Sequence, residues 1–134
     1  MMQIATEVIL MNKVKIMVWG REFDLGITYD CYSGEEVLDT QKKAVDAFVK
    51  SEKVIADSLE QVKKYCMDEN GTEIGAAIDN IFKYVAPKYL YVSRDDKKHI
   101  VSLMCNYKFD PENGIAIVFE NEKFSKIGRQ DVIL

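Results

Sequence analysis

The chain is 134 residues long, 48% hydrophobic and 30% charged, with two prolines and seven glycines; that balance fits one folded domain with a real core and excludes a disordered segment. A formal net charge of −4 and only three arginines, Arg21, Arg94 and Arg129, argue against a nucleic-acid or membrane surface and against a dedicated phosphate binder.

Residues 1–10 read either as a preceding strand or as an extension ahead of a second start at Met11. The stretch MMQIATEVILM has no basic n-region, carries Glu7 within its apolar run and lacks a small-residue cleavage site, so no signal peptide is expected. No apolar run approaches membrane-spanning length, and the expected location is the cytoplasm. From 13 to 30 the pattern alternates: Val14, Ile16 and Val18 share one face, and Phe23, Leu25, Ile27 and Tyr29 share one face of the next run. This predicts a β-hairpin with Gly20 and Arg21 between its strands.

Over 35–85 the period changes to that of helices. Ser33 and Glu36 match a capping box, and Leu38, Ala44, Val45, Phe48 and Val49 follow at helical spacing, which places a helix start near residue 35. A second stripe, Ile55, Leu59, Val62 and Cys66, has Ser51 as its expected cap and Asn70-Gly71 as its expected end. A third, Ile74, Ala77, Ile78, Ile81, Phe82 and Val85, predicts a core helix opened by Thr72 and stopped by Pro87. Over 88–134, KYLYVS, KHIVSLMCNYKF, GIAIVFE, KFSKIG and DVIL are five short strand candidates with connectors typical of antiparallel neighbours. The order strands, helices, strands predicts an α+β domain: a mostly antiparallel sheet, N-terminal hairpin plus C-terminal meander, with about three helices on one face.

The familiar catalytic and nucleotide-binding motifs are absent, and no cofactor is expected. Cys31, Cys66 and Cys105 are odd in number and widely spaced, which suits reduced thiols and neither a disulfide framework nor a zinc site. The single histidine, His99, would be about 20 Å from Cys105 along one strand, and Ser102 points to the other face, so a nucleophilic dyad there is not expected. RDDKKH, residues 94–99, reads as a solvated turn. Asp110-Pro111-Glu112-Asn113-Gly114 places each residue type where a turn needs it; Asp110 and Glu112 would act as a catalytic or metal-binding pair only with a third acid such as Asp30, Asp95 or Asp131.

Two stretches carry a resemblance. Residues 25–48, LGITYDCYSGEEVLDTQKKAVDAF, and 100–134, IVSLMCNYKFDPENGIAIVFENEKFSKIGRQDVIL, resemble an uncharacterised bacterial domain family found mainly in Gram-positive species. Its motifs are YDCYxGE, YxFDxExGIAIVF and IGxQDxIL. The resemblance begins near Lys13 and implies no activity and no catalytic residues. It marks Tyr29, Asp30, Tyr32, Glu35, Gln41, Asp110, Glu112, Gly114, Gln130 and Asp131 as candidate surface or loop site residues, and some domains of this sort are suspected immunity or accessory proteins of toxin systems.

The leading expectation is therefore a non-catalytic, cytoplasmic protein-binding module, immunity-like in character, with a basic or toxin-like protein partner and no nucleic acid or membrane partner. The alternatives are an acid-residue or metal-dependent enzyme using Asp110 and Glu112, and a self-associating structural domain, monomer or homodimer.

Overall fold

A computed structural model describes residues 13–31 and 34–133. The N-terminal segment 1–12, Tyr32, Ser33 and Leu134 lie outside the described residues, and with them the expected extension, the Ser33 cap and one candidate site residue. The architecture is α+β. Strands β1 (Lys13–Val18) and β2 (Arg21–Tyr29) are followed by helices α1 (Asp39–Lys50), α2 (Glu52–Asp57) and α3 (Leu59–Ile74) and a 3-10 turn (Ile81–Lys83). Strands β3 (Val85–Val92), β4 (Ile100–Tyr107), β5 (Ile115–Glu120) and β6 (Lys123–Arg129) then lead into a one-turn helix, α4 (Gln130–Ile133).

The six strands form one sheet in sequence order. Every neighbouring pair is antiparallel except β2 and β3, which run parallel because the helical segment carries the chain back to the starting end. Two tight turns close hairpins. Trp19 and Gly20 have φ of 50° and 84°, and Asn121 and Glu122 have φ of 49° and 61°; left-handed residues at both central positions match the twist of the flanking strands. The first turn is thus one residue earlier than Gly20-Arg21. A tryptophan is costly at positive φ, but here its ring is buried and its Nε1 donates to Ser58 Oγ at 3.2 Å.

Leu90, Val92, Val101, Leu103, Cys105, Ile115, Ile117 and Phe119 point from the central strands into one core with Ala44, Val45, Phe48, Ile55, Val62 and Cys66 of the helices. Phe48 meets Phe119 at 4.9 Å between ring centroids; burying a side chain of that size contributes about 1.5–3 kcal/mol. On the reverse face Ser102, Met104, Ala116 and Val118 are buried as well, and α4 folds towards it, with Ile133 packed against Gly128.

Several sequence expectations need correction. The first helix starts at Asp39, not near residue 35; Glu36 lies in the preceding loop, and the Leu38 N–H is capped by Gln41 Oε1 at 2.9 Å. The second stripe is divided at Ser58 into α2 and α3, and Ser51 donates back to Ala47 O instead of capping α2. Asn70 does not end α3 but kinks it, at φ −135° and ψ 31°, and the helix stops at Gly75, φ 78°. The third stripe is not a helix. Beyond Gly75 the chain is irregular, Asn80 Oδ1 caps the 3-10 turn by accepting from Phe82 N, and Val85 already begins β3. Pro87 therefore stops nothing: it lies within β3 beside a register shift, where the residue before proline is held extended and no pairing to β2 is made. Finally, DVIL is a helical turn and not a strand, since the last β5 partner, Ile115, is used by Arg129.

Candidate functional site

The positions singled out by the sequence separate into two groups at opposite ends of the sheet. Tyr29, Asp30, Glu35 and Gln41 lie where β2 and β3 finish, while Asp110, Glu112, Gln130 and Asp131 lie where β4 and β6 finish and β5 starts. An eight-residue strand puts those ends about 25 Å apart. The two groups do not form one site.

At the first end Gln41, 1% exposed, is fully used by its own backbone. Nε2 donates to Asp30 O at 3.1 Å and Val92 O at 3.2 Å, and Oε1 accepts from Leu38 N. Those carbonyls terminate the parallel pair, where the Asp30 N–H also donates to Val92 O at 2.9 Å. The Arg94 guanidinium ties down the loop before α1, donating to Glu36 O at 3.0 Å and Cys31 Sγ at 3.5 Å and pairing with Glu35 at 3.4 Å. Asp95 Oδ1 accepts from the Lys97 and Lys98 backbone N–H groups, which hold its carboxyl below the usual range. Burial raises the Tyr29 hydroxyl, helped by Asp46, and raises the Tyr91 hydroxyl, helped by the Asp30 carboxylate. His99 bridges to the β5–β6 turn, its Nδ1 2.7 Å from Glu122 Oε2, away from Cys105.

At the other end Gln130 repeats the pattern. Its Nε2 donates to Cys105 O and Ile115 O, each at 3.2 Å, closing the β4–β5 pair. Gly114, φ 62°, is needed beneath it: a Cβ there would collide with the Cys105 carbonyl and lie 2.9 Å from Gln130 Nε2. The DPEN stretch is a turn in which Gly114 N donates to Asp110 O at 2.9 Å, and both Asp110 carboxylate oxygens accept from Asn113. Glu112 is exposed at the tip. Asp131 is held bidentately by Arg129, at 3.0 Å and 2.9 Å.

Asp110 and Arg129 share a cleft of about 200 Å³ with Tyr65, Glu69, Asn70 and Tyr107. The kink at Asn70 lets its Oδ1 accept from the Tyr107 hydroxyl at 2.7 Å. Burial pushes that hydroxyl well up, and the neighbouring Cys66 adds to the effect. Of the acids suggested as partners for Asp110, Asp131 is at this end; Asp30 and Asp95 are at the other. Among the described residues no group of three or more His, Cys, Asp or Glu side chains could hold a metal ion, and no helix is long and apolar enough to cross a membrane.

A second cleft, of about 380 Å³, opens beside the DPEN turn and includes Phe82, Lys83, Tyr84, Asn106, Lys108 and Pro111. The sequence reading missed it. Its signal is a pair of mirrored tripeptides, Phe82-Lys83-Tyr84 and Tyr107-Lys108-Phe109, which the β3–β4 register lays side by side, with Lys108 N donating to Tyr84 O at 2.8 Å.

Residues 6–134 match the family model described as a domain of unknown function (DUF6985). The match starts at Thr6, so it takes in part of the segment 1–10 that the motif resemblance left out. No curated protein and no solved structure matches the chain.

Proposed function

Since the chain belongs to this family of domains of unknown function, we propose that it is a non-catalytic protein-binding module. The observation that carries the reading is the use of the signature side chains: Gln41, Asp110 and Gln130 all spend their polar atoms on the protein's own backbone or turn. Side chains committed in that way shape a surface; they do not present groups to a reacting substrate. What faces outward beside the Asp110 turn is a cleft of half-buried aromatic rings rimmed by polar side chains, the make-up of protein-recognition surfaces. An immunity-like role against a toxin-like protein is one instance of this reading. Whole-chain charge alone favours a basic partner.

An acid-dependent enzyme draws less support, because both Asp110 oxygens are engaged by Asn113 and Glu112 does not line the Asp110–Arg129 cleft. Self-association has one observation in its favour: among the described residues β6 is an edge strand and Val132, just beyond it, is 70% exposed. Affinity purification from the native host with mass spectrometry tests the proposal. One stoichiometric partner is expected; recovery of none across growth conditions overturns it, and light scattering that gives a stable dimer assigns the binding to a second copy.

A further inference from the structure

The aromatic cleft carries an unusual charge for this molecule. The chain has a net charge of −4, yet among the described residues the ionic side chains lining the cleft are Lys83 and Lys108, with no acid. Neither lysine is in an ion pair with a described carboxylate. Lys108 Nζ instead lies 5.7 Å and 5.8 Å from the ring centroids of Tyr84 and Phe109, which stack on each other at 5.8 Å. Arg21 adds a third cation next to the cleft, its guanidinium 4.2 Å from the centre of the Phe82 ring.

A cation held against a ring face is positioned without being neutralised. Rings leave the charge available, whereas a carboxylate partner would quench it. The cleft thus offers an apolar floor and preset positive charge, with Asn106 as a further polar group at the rim. We infer that this cleft docks an acidic segment of the partner protein, one that places an apolar side chain in the cleft and carboxylates against Lys83 and Lys108. The inference rests on the protein-binding reading and names the place and the chemistry of that contact. Complementary charge selects the acidic segment over a basic one. Single-stranded nucleic acid also combines aromatic stacking with cations, but a stacked base needs an open ring face, and the Phe82 and Tyr84 rings already carry Arg21 and Lys108 on theirs.

The test is a nuclear magnetic resonance titration of the labelled full chain with three short probes: a peptide of alternating Glu and Leu, its Gln-for-Glu counterpart, and oligo-dT. The expected result is saturable shifts at residues 82–86 and 106–111 with the acidic peptide, at least tenfold weaker binding of the neutral peptide, and loss of binding in 0.5 M salt. Lys83→Glu with Lys108→Glu should weaken the acidic peptide by at least tenfold, while Lys123→Glu with Lys126→Glu, a matched charge change on β6, should not. Shifts elsewhere, equal binding of the neutral peptide, or tighter binding of oligo-dT would overturn the inference. A host partner that binds the double variant as well as it binds the unchanged chain would also overturn it and leave the protein-binding reading standing; recovery of no partner would remove that reading instead.

Discussion

Gln41 and Gln130 sit at opposite ends of the sheet and make the same contact: each carboxamide nitrogen donates to two backbone carbonyls on adjacent strands, Asp30 and Val92 for one, Cys105 and Ile115 for the other. Each bridges a strand pair at the point where its ladder runs out.

Replacing Gln41 by leucine keeps the volume but takes the side-chain partner from Asp30 O and from the Leu38 N–H, while Val92 O keeps its bond from Asp30 N. Urea denaturation should show a loss of about 2–3 kcal/mol, given about 1–3 kcal/mol for each buried group left unsatisfied. Gln130→Ala, at a half-buried position, should cost about 1 kcal/mol on the same scale. A neutral result at Gln41 would contradict the clamp.

Gly114→Ala should be among the most damaging single changes. Its φ of 62° disfavours any side chain, and the new methyl would meet the Cys105 carbonyl. Left-handed backbone alone costs about 1–2 kcal/mol, so a drop of about 2 kcal/mol or more is expected in denaturant midpoints.

The two acids of the DPEN turn should behave differently. Asp110→Ala removes the acceptor for Asn113 N and Nδ2, a cap-like loss of about 0.5–2 kcal/mol. Glu112→Gln, at the exposed tip, should leave thermal stability within about 0.5 kcal/mol.

Thiol chemistry gives a pH prediction. Cys66 and Cys105 are buried and their pKa values are raised, in both cases chiefly by burial. Native protein at pH 8 should therefore react with a thiol probe at the half-exposed Cys31 and at the other two only after unfolding. In the unfolded chain a thiol ionises near about 8.5, while in the fold both stay protonated to higher pH. Their contribution to stability is complete below that value and is lost as pH rises above it. Denaturation curves should show stability falling from about pH 9 upward, and a Cys66→Ala, Cys105→Ala chain should show a shallower fall.

The strands were legible because alternation survives in β1 and β2 and because the β4 and β5 runs are buried on both faces. The third helix was misread for a physical reason. Ile74, Ile78, Ile81 and Val85 obey helical spacing, yet an irregular segment over a sheet can bury the same residues, and here Ile78, Ile81 and Val85 are all in the core. Gly75 and the extended preference before Pro87 outweigh the stripe. At the site, the glutamines were visible as motif letters, but their role depends on which carbonyls the fold brings to them. The aromatic cleft was hidden because Lys83 and Lys108 are neighbours only through the β3–β4 pairing.

Amide hydrogen exchange on the chain alone and on its complex with the captured partner tests the aromatic cleft as the docking site most directly. Added protection should be confined to residues 82–86 and 106–111 around the aromatic cleft. Protection at the Asp30–Gln41 end instead, or none anywhere, would contradict it.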